Sequence, residues 1–157
     1  MEEKYYTPKL EEFHVGFEYE VYNNPEKYFL GGDEKWMPQI HSYGILSDIL
    51  HLHKLISDKQ IRVKFLNGAD IESLGFRKQL IPDVFFDDDE LIDGFRLTIN
   101  ESTSIFVNLE NNILQIARQD IYNQDYGNWT ATMLFEGVIK NKSELKKLLT
   151  QLGITIK

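Results

Sequence analysis

The stretch "FRLTINESTSIFVNLENNILQIA", Phe95–Ala117, decides how the chain folds. Its first residues put Phe95, Leu97 and Ile99 on alternate positions, and "SIFVNL" repeats the pattern with Ile105, Val107 and Leu109. Apolar residues at every second position suit a strand that buries one face, because successive side chains leave a pleated backbone on opposite sides. Glu110-Asn111-Asn112 supplies turn formers before "ILQIA", so the spacing predicts an antiparallel hairpin. Downstream, "NWTATMLFEGVI" sets Trp129, Ala131, Met133 and Phe135 against Thr130, Thr132, Leu134 and Glu136, which predicts a further strand. In "NKSELKKLLTQLG" that follows, Leu145, Leu148, Leu149 and Leu152 make the i, i+3, i+4, i+7 stripe of a helix, with Ser143 expected as N-cap and Gly153 as the stop. So narrow a leucine stripe on a polar helix covers a sheet.

Upstream, "EEFHVGFEYEVY", Glu11–Tyr22, alternates Phe13, Val15, Phe17, Tyr19 and Val21 with His14, Gly16, Glu18, Glu20 and Tyr22, the pattern of one long strand. Asn23–Gln39 is crowded with Asn, Pro and Gly and reads as a long loop carrying Trp36. "YGILSDILHLHKLISDK" spaces Ile45, Ile49, Leu52 and Ile56 as one helical face, and "QIRVKFL" alternates Ile61, Val63 and Phe65 as a strand. In "NGADIESLGF", Asn67-Gly68 makes a turn, Asp70 caps a single helical turn and Gly75 closes it. The expected class is α+β: antiparallel sheets packed against a C-terminal amphipathic helix, with one central helix and long loops. A chain of 157 residues suits one compact domain, residues 1–157, with 1–60 and 61–157 as sub-lobes.

The composition is 42% hydrophobic and 13% aromatic, enough to build a core and too apolar for a disordered chain. A net charge of -8 sets the whole-molecule field against nucleic-acid backbones and anionic lipid, so neither nucleic acid nor membrane is an expected partner. The absence of cysteine excludes disulfides, thiol nucleophiles and Cys-ligated zinc together. "MEEKYYTPKLEEF" lacks the basic flank and apolar run of a signal peptide, and no apolar stretch reaches the ~20 residues that span a bilayer. A bacterial cytoplasmic location is expected.

Three stretches, "YTPKLEEFHVGFEYE", "IRVKFLNGADIESLGF" and "FEGVIKNKSELKKLLTQLGI", are similar to a family of short uncharacterised proteins encoded by phages and mobile elements of gut-type bacteria. The resemblance covers about a third of the chain in wording and order, and it carries no activity or site residue. What it implies is context: an accessory gene product working in a bacterial cytoplasm or in a particle assembled there.

Chemistry-bearing motifs are sparse. The chain has no G-x-x-x-x-G-K-[ST], G-x-G-x-x-G or G-x-S-x-G. His51 and His53 diverge by about 200° on a helix, and no histidine follows His53 to complete a ligand set, so no metal or other cofactor is expected. Six carboxylates lie in "DVFFDDDELID", yet the segment fails the calcium-loop template and reads as a solvated acidic loop that could meet a partner's basic patch. The lysines around residues 140–147 read as a solvated helix face. His14, Glu18 and Glu20 fall on one face of the expected strand, about 6.6 Å apart at alternate positions, close enough for acid–base work were one carboxylate buried.

The first reading is therefore a non-enzymatic phage or mobile-element protein that binds another protein. Its candidate contact residues are His14, Glu18, Glu20, Trp36, Asp87, Asp88, Asp89 and Glu90, and no catalytic, cofactor or metal residue is assigned. A small enzyme using carboxylate or metal chemistry at Glu18 and Glu20, and an acidic mimic of nucleic acid that inhibits a host defence protein, are the alternatives.

Overall fold

The computed structural model describes residues 4–23, 35–42, 46–82, 91–110, 113–123 and 128–156; for 46–48, 122, 123, 128 and 129 only the backbone is described. Two antiparallel sheets with helices, a central one and a C-terminal one among them, make the α+β class that the alternation and the leucine stripe predict. The chain divides into two compact units, Met1–Phe65 and Leu66–Lys157. The division falls after Phe65 rather than after Gln60 because the strand at Ile61–Lys64 pairs within the first unit.

In that unit the elements are β1 (Tyr5–Tyr6), a 3-10 turn (Leu10–Glu12), β2 (Glu18–Asn23), β3 (Lys35–Ile40), α1 (Leu46–Ser57) and β4 (Ile61–Lys64). The sheet order is β1-β4-β2-β3, with Val21 opposite Ile61 and Glu20 opposite Arg62. Tyr19, Val21 and Ile61 pack on one face with Leu52 and Leu55 of α1 and with Phe13. The apolar stripe of α1 is thus Leu52, Leu55 and Ile56, while Ile49 is 48% exposed.

Two expectations fail here for identifiable reasons. The strand predicted from Glu11 starts only at Glu18, because Gly16 adopts φ +85, the left-handed region, and turns the chain. The Gly16 N–H donates to the His41 carbonyl and the His41 N–H to the Phe17 carbonyl, each at 2.8 Å. Val15 is left 54% exposed in the turn while Phe17 is fully buried. Trp36 lies in strand β3 rather than in a loop, paired with Tyr22. Pro38 is tolerated there because β3 is an edge strand, where a missing N–H breaks no ladder on its outer side. Residues 24–34 of the expected loop lie outside the described residues.

The second unit runs α2 (Gly68–Glu72), β5 (Arg77–Pro82), β6 (Leu91–Thr98), β7 (Thr103–Glu110), β8 (Ile113–Asn123), β9 (Asn128–Val138) and α3 (Lys142–Gln151). Its five strands pair in sequence order, and Glu110 opposite Ile113 closes the predicted hairpin. Leu145 and Leu149 of α3 are fully buried in one cluster with Ile105, Val107, Leu114 and Ile116, each burial worth about 1.5–3 kcal/mol. On β9 the simple alternation breaks at a bulge: Ile116 faces Phe135 but Ala117 faces Met133. Leu134 is the extra residue, so it and Phe135 both pack on this cluster.

Both helix caps move from the expected residue to an asparagine upstream. Asn67 caps α2 by accepting from the Asp70 N–H at 3.0 Å, and Asp70 accepts in return from the Asn67 N–H. Asn141, not Ser143, caps α3 by accepting from the Glu144 N–H at 2.9 Å. Gly153 at φ +73 ends α3 as expected, with Gly153 N–H bonded to the Thr150 carbonyl and Ile154 N–H to that of Leu149.

The same closing motif ends α1, but with Lys59 at φ +53 in the left-handed position, donating to Ile56, and Gln60 donating to Leu55. Lys59 is exposed, so its Cβ carries the conformational cost with no packing in return. Lys59→Gly should raise stability by about 0.5–1 kcal/mol, read as a higher urea midpoint at unchanged slope; a lower midpoint would contradict this account of the cap.

Candidate functional site

The sheet of the first unit has a second face, opposite the one packed on α1. Register assigns to it Glu18, Glu20 and Tyr22 of β2, Trp36, Pro38 and Ile40 of β3, Arg62 of β4 and Tyr5 of β1. Arg62 organises it. Its Nε donates to Glu20 Oε2 at 2.6 Å, and its guanidinium carbon lies 3.7 Å from the Tyr5 ring centre and 4.2 Å from that of Trp36. Trp36 packs in turn on Tyr22, ring centres 5.3 Å apart. Glu20 and Arg62 keep a little over a quarter of their side-chain surface exposed, so the group is fixed yet reachable.

The energetics favour positioning over stability. A partly exposed ion pair contributes about 0–1 kcal/mol and a partly desolvated cation–π contact about 0.5–2 kcal/mol. What the arrangement achieves is a guanidinium plane whose faces are covered and whose Nε is occupied. Its Nη groups make no hydrogen bond among the described residues, so their donors are free to meet an acceptor. Pro38 and Ile40, the latter 68% exposed, add apolar surface beside it.

Of the contact residues expected from sequence, Glu20 and Trp36 meet at Arg62, and Glu18 lies on the same face, half-buried. His14 does not join them: it sits in the turn before β2, its Nδ1 donating to the Val15 carbonyl at 2.9 Å, its ring 5.6 Å from Phe17, and its buried Nε2 without a hydrogen-bond partner among the described residues. The turn at Gly16 removes it from the strand face. Asp87, Asp88, Asp89 and Glu90 lie outside the described residues. His51 and His53 are both exposed on α1, and among the described residues no group of three His, Asp or Glu is placed to hold a metal ion. Arg62, Tyr5 and Tyr22 were not singled out from sequence, although Arg62 alternates with Ile61 and Val63 and so had to face away from the core.

In the second unit, Arg118 and Asp120 on β8 form an ion pair at 2.8 Å, and the Thr103 hydroxyl donates to Asp120 at 2.9 Å. The hydrogen bond from Arg118 holds the Asp120 carboxyl below the ordinary aspartate value against desolvation, which raises it, and the Thr103 hydrogen bond and the Arg118 charge add to the lowering.

No protein-family model, curated protein or solved structure matches the chain. No helix among the described residues is long and apolar enough to cross a membrane.

The Glu20–Arg62 pair should show a coupling of about 0.5–1 kcal/mol in a double-mutant cycle of Glu20→Ala and Arg62→Ala, smaller in 1 M salt; zero coupling would mean the pair holds nothing in place. For Asp120, the lowered folded-state value makes its contribution present above the unperturbed value of 3.8 and lost as pH falls through the folded one. Asp120→Asn should therefore flatten the acid limb of stability against pH, measured by urea midpoints between about pH 2 and 6.

Proposed function

We propose that the protein is a non-enzymatic protein-binding module of the accessory kind carried by phages and mobile elements, working in the bacterial cytoplasm, and that the open sheet face of the first unit is its contact surface. The observation that carries this reading is Arg62 held between Tyr5 and Trp36, its Nη groups making no hydrogen bond among the described residues. Tryptophan, tyrosine and arginine dominate binding energy at protein interfaces because they bury large areas at little cost in conformational entropy. Here their conformations are set before any partner arrives, which lowers the ordering cost of association. Glu20 serves this cluster as the anion that orients Arg62, a role that supports binding over acid–base work with Glu18.

The test is affinity capture from the native host with the tagged wild type, Trp36→Ala and Arg62→Ala, each variant first shown to melt cooperatively. A specific protein retained by the wild type and lost, or weakened at least tenfold, with either substitution supports the reading. Equal retention by all three, or no retained protein at all, defeats it.

A further inference from the structure

Helix α3 does not cover its side of the second sheet to the end. Leu145 and Leu149 bury part of that face, and α3 stops before Gly153, whose φ of +73 turns the chain. At that stop lies a groove of about 980 Å³, the size of a site for a small organic molecule. Leu97 and Ile105 line it from the sheet, and Leu152 and Ile154 from the end of the helix and the turn after it. Leu97 and Leu152 are half-buried, so they present to solvent apolar surface that is continuous with the core. No aromatic ring is among the described lining residues, which leaves a flat ligand nothing to stack on and suits an alkyl chain.

Register sets the polar end of the groove. Ile105 stands opposite Leu97 on β6 and opposite Arg118 on β8, so all three side chains leave the sheet on one face. Arg77 and Arg96 also border the groove, but Arg96 alternates with Phe95 and Leu97 and Arg77 stands opposite it, so both leave on the other face. Among the described lining residues, the cation on the apolar face is therefore Arg118. Its charge is already met: Nε and Nη2 donate to Asp120 at 3.1 and 3.0 Å. Asp120 in turn stays ionised at neutral pH, because the bond from Arg118 holds its carboxyl below the ordinary value. A carboxylate arriving at Arg118 would meet that like charge beside it. What remains on offer is Nη1, which makes no hydrogen bond among the described residues, and the Thr103 hydroxyl oxygen, which donates to Asp120 and can still accept. A donor and an acceptor with no net charge match an amide or a hydroxyl.

We propose that this groove binds an uncharged aliphatic molecule, its chain against Leu97, Ile105 and Ile154 and its amide or hydroxyl head at Arg118 and Thr103. None of these residues belongs to the Arg62 face, so the proposal stands or falls independently of protein binding there.

Isothermal titration of the full chain with octanamide, hexanamide and octanoate tests it. Burial of the chain should tighten binding about fourfold for each added methylene, so octanamide should bind roughly tenfold or more tighter than hexanamide. Octanoate should bind more weakly than octanamide, and Asp120→Asn, which unmasks the Arg118 charge, should narrow or reverse that preference. Ile99 lines the groove and is 46% exposed, so Ile99→Asn should leave the melting temperature unchanged while weakening octanamide several-fold. No binding of octanamide at millimolar concentration, hexanamide or octanoate binding as tightly as octanamide, an unchanged affinity in Ile99→Asn, or an unchanged preference in Asp120→Asn would each overturn the proposal.

Discussion

A one-residue slip of the β7–β8 pairing would turn either Ile105 and Val107 or Leu114 and Ile116 away from α3, because side chains alternate sides with a period of two. Leu145 and Leu149 would then meet polar residues, and the cluster that buries all six would be lost. Register is therefore the constraint on which the second unit rests, and it is fixed from two directions at once. The hairpin closure at Glu110 and Ile113 sets it from the turn, and the leucine stripe of α3 sets it from the face. The same constraint decides what the opposite faces can do. It places Arg77 against Arg96, and in the first unit it places Arg62 against Glu20.

In the first unit the division of labour between faces is sharper. Leu52, Leu55 and Ile61 supply burial on one side, which leaves the other free to carry residues that contribute little to stability. Tyr5, Trp36 and Arg62 come from β1, β3 and β4, so none of their contacts is local in sequence. A cluster assembled from three strands keeps its geometry only while the whole sheet is intact, which ties the readiness of Arg62 to the fold rather than to a flexible loop.

What was legible in the sequence follows from range. The α3 stripe, its stop at Gly153, the central helix and the β7–β8 hairpin depend on neighbours within a few residues, and each could be read directly. The alternation marks Phe13 and Phe17 as apolar packing residues, but no strand runs through them, because period two also arises when a glycine turn carries aromatic residues to the same core. Capping misled for a related reason: Ser143 and Asp70 satisfy the composition rule, but Asn141 and Asn67 hold the extended backbone that a cap needs. The candidate site was half legible. Glu20 and Trp36 were visible as unusual residues on exposed positions, whereas their meeting at Arg62 needs a register between segments 42 residues apart, which no local pattern encodes.

The charge of the chain illustrates the same limit. A total of -8 correctly describes a long-range field that opposes polyanions, since it acts over about a Debye length, 8–10 Å at physiological salt. At contact the controlling quantity is instead which groups lie within about 4 Å, where one guanidinium outweighs distant carboxylates screened by water. Arg77 and Arg96, opposite each other on neighbouring strands, are a local excess that the total conceals. Net charge thus governs the field at a distance, and register governs which charged groups meet at contact.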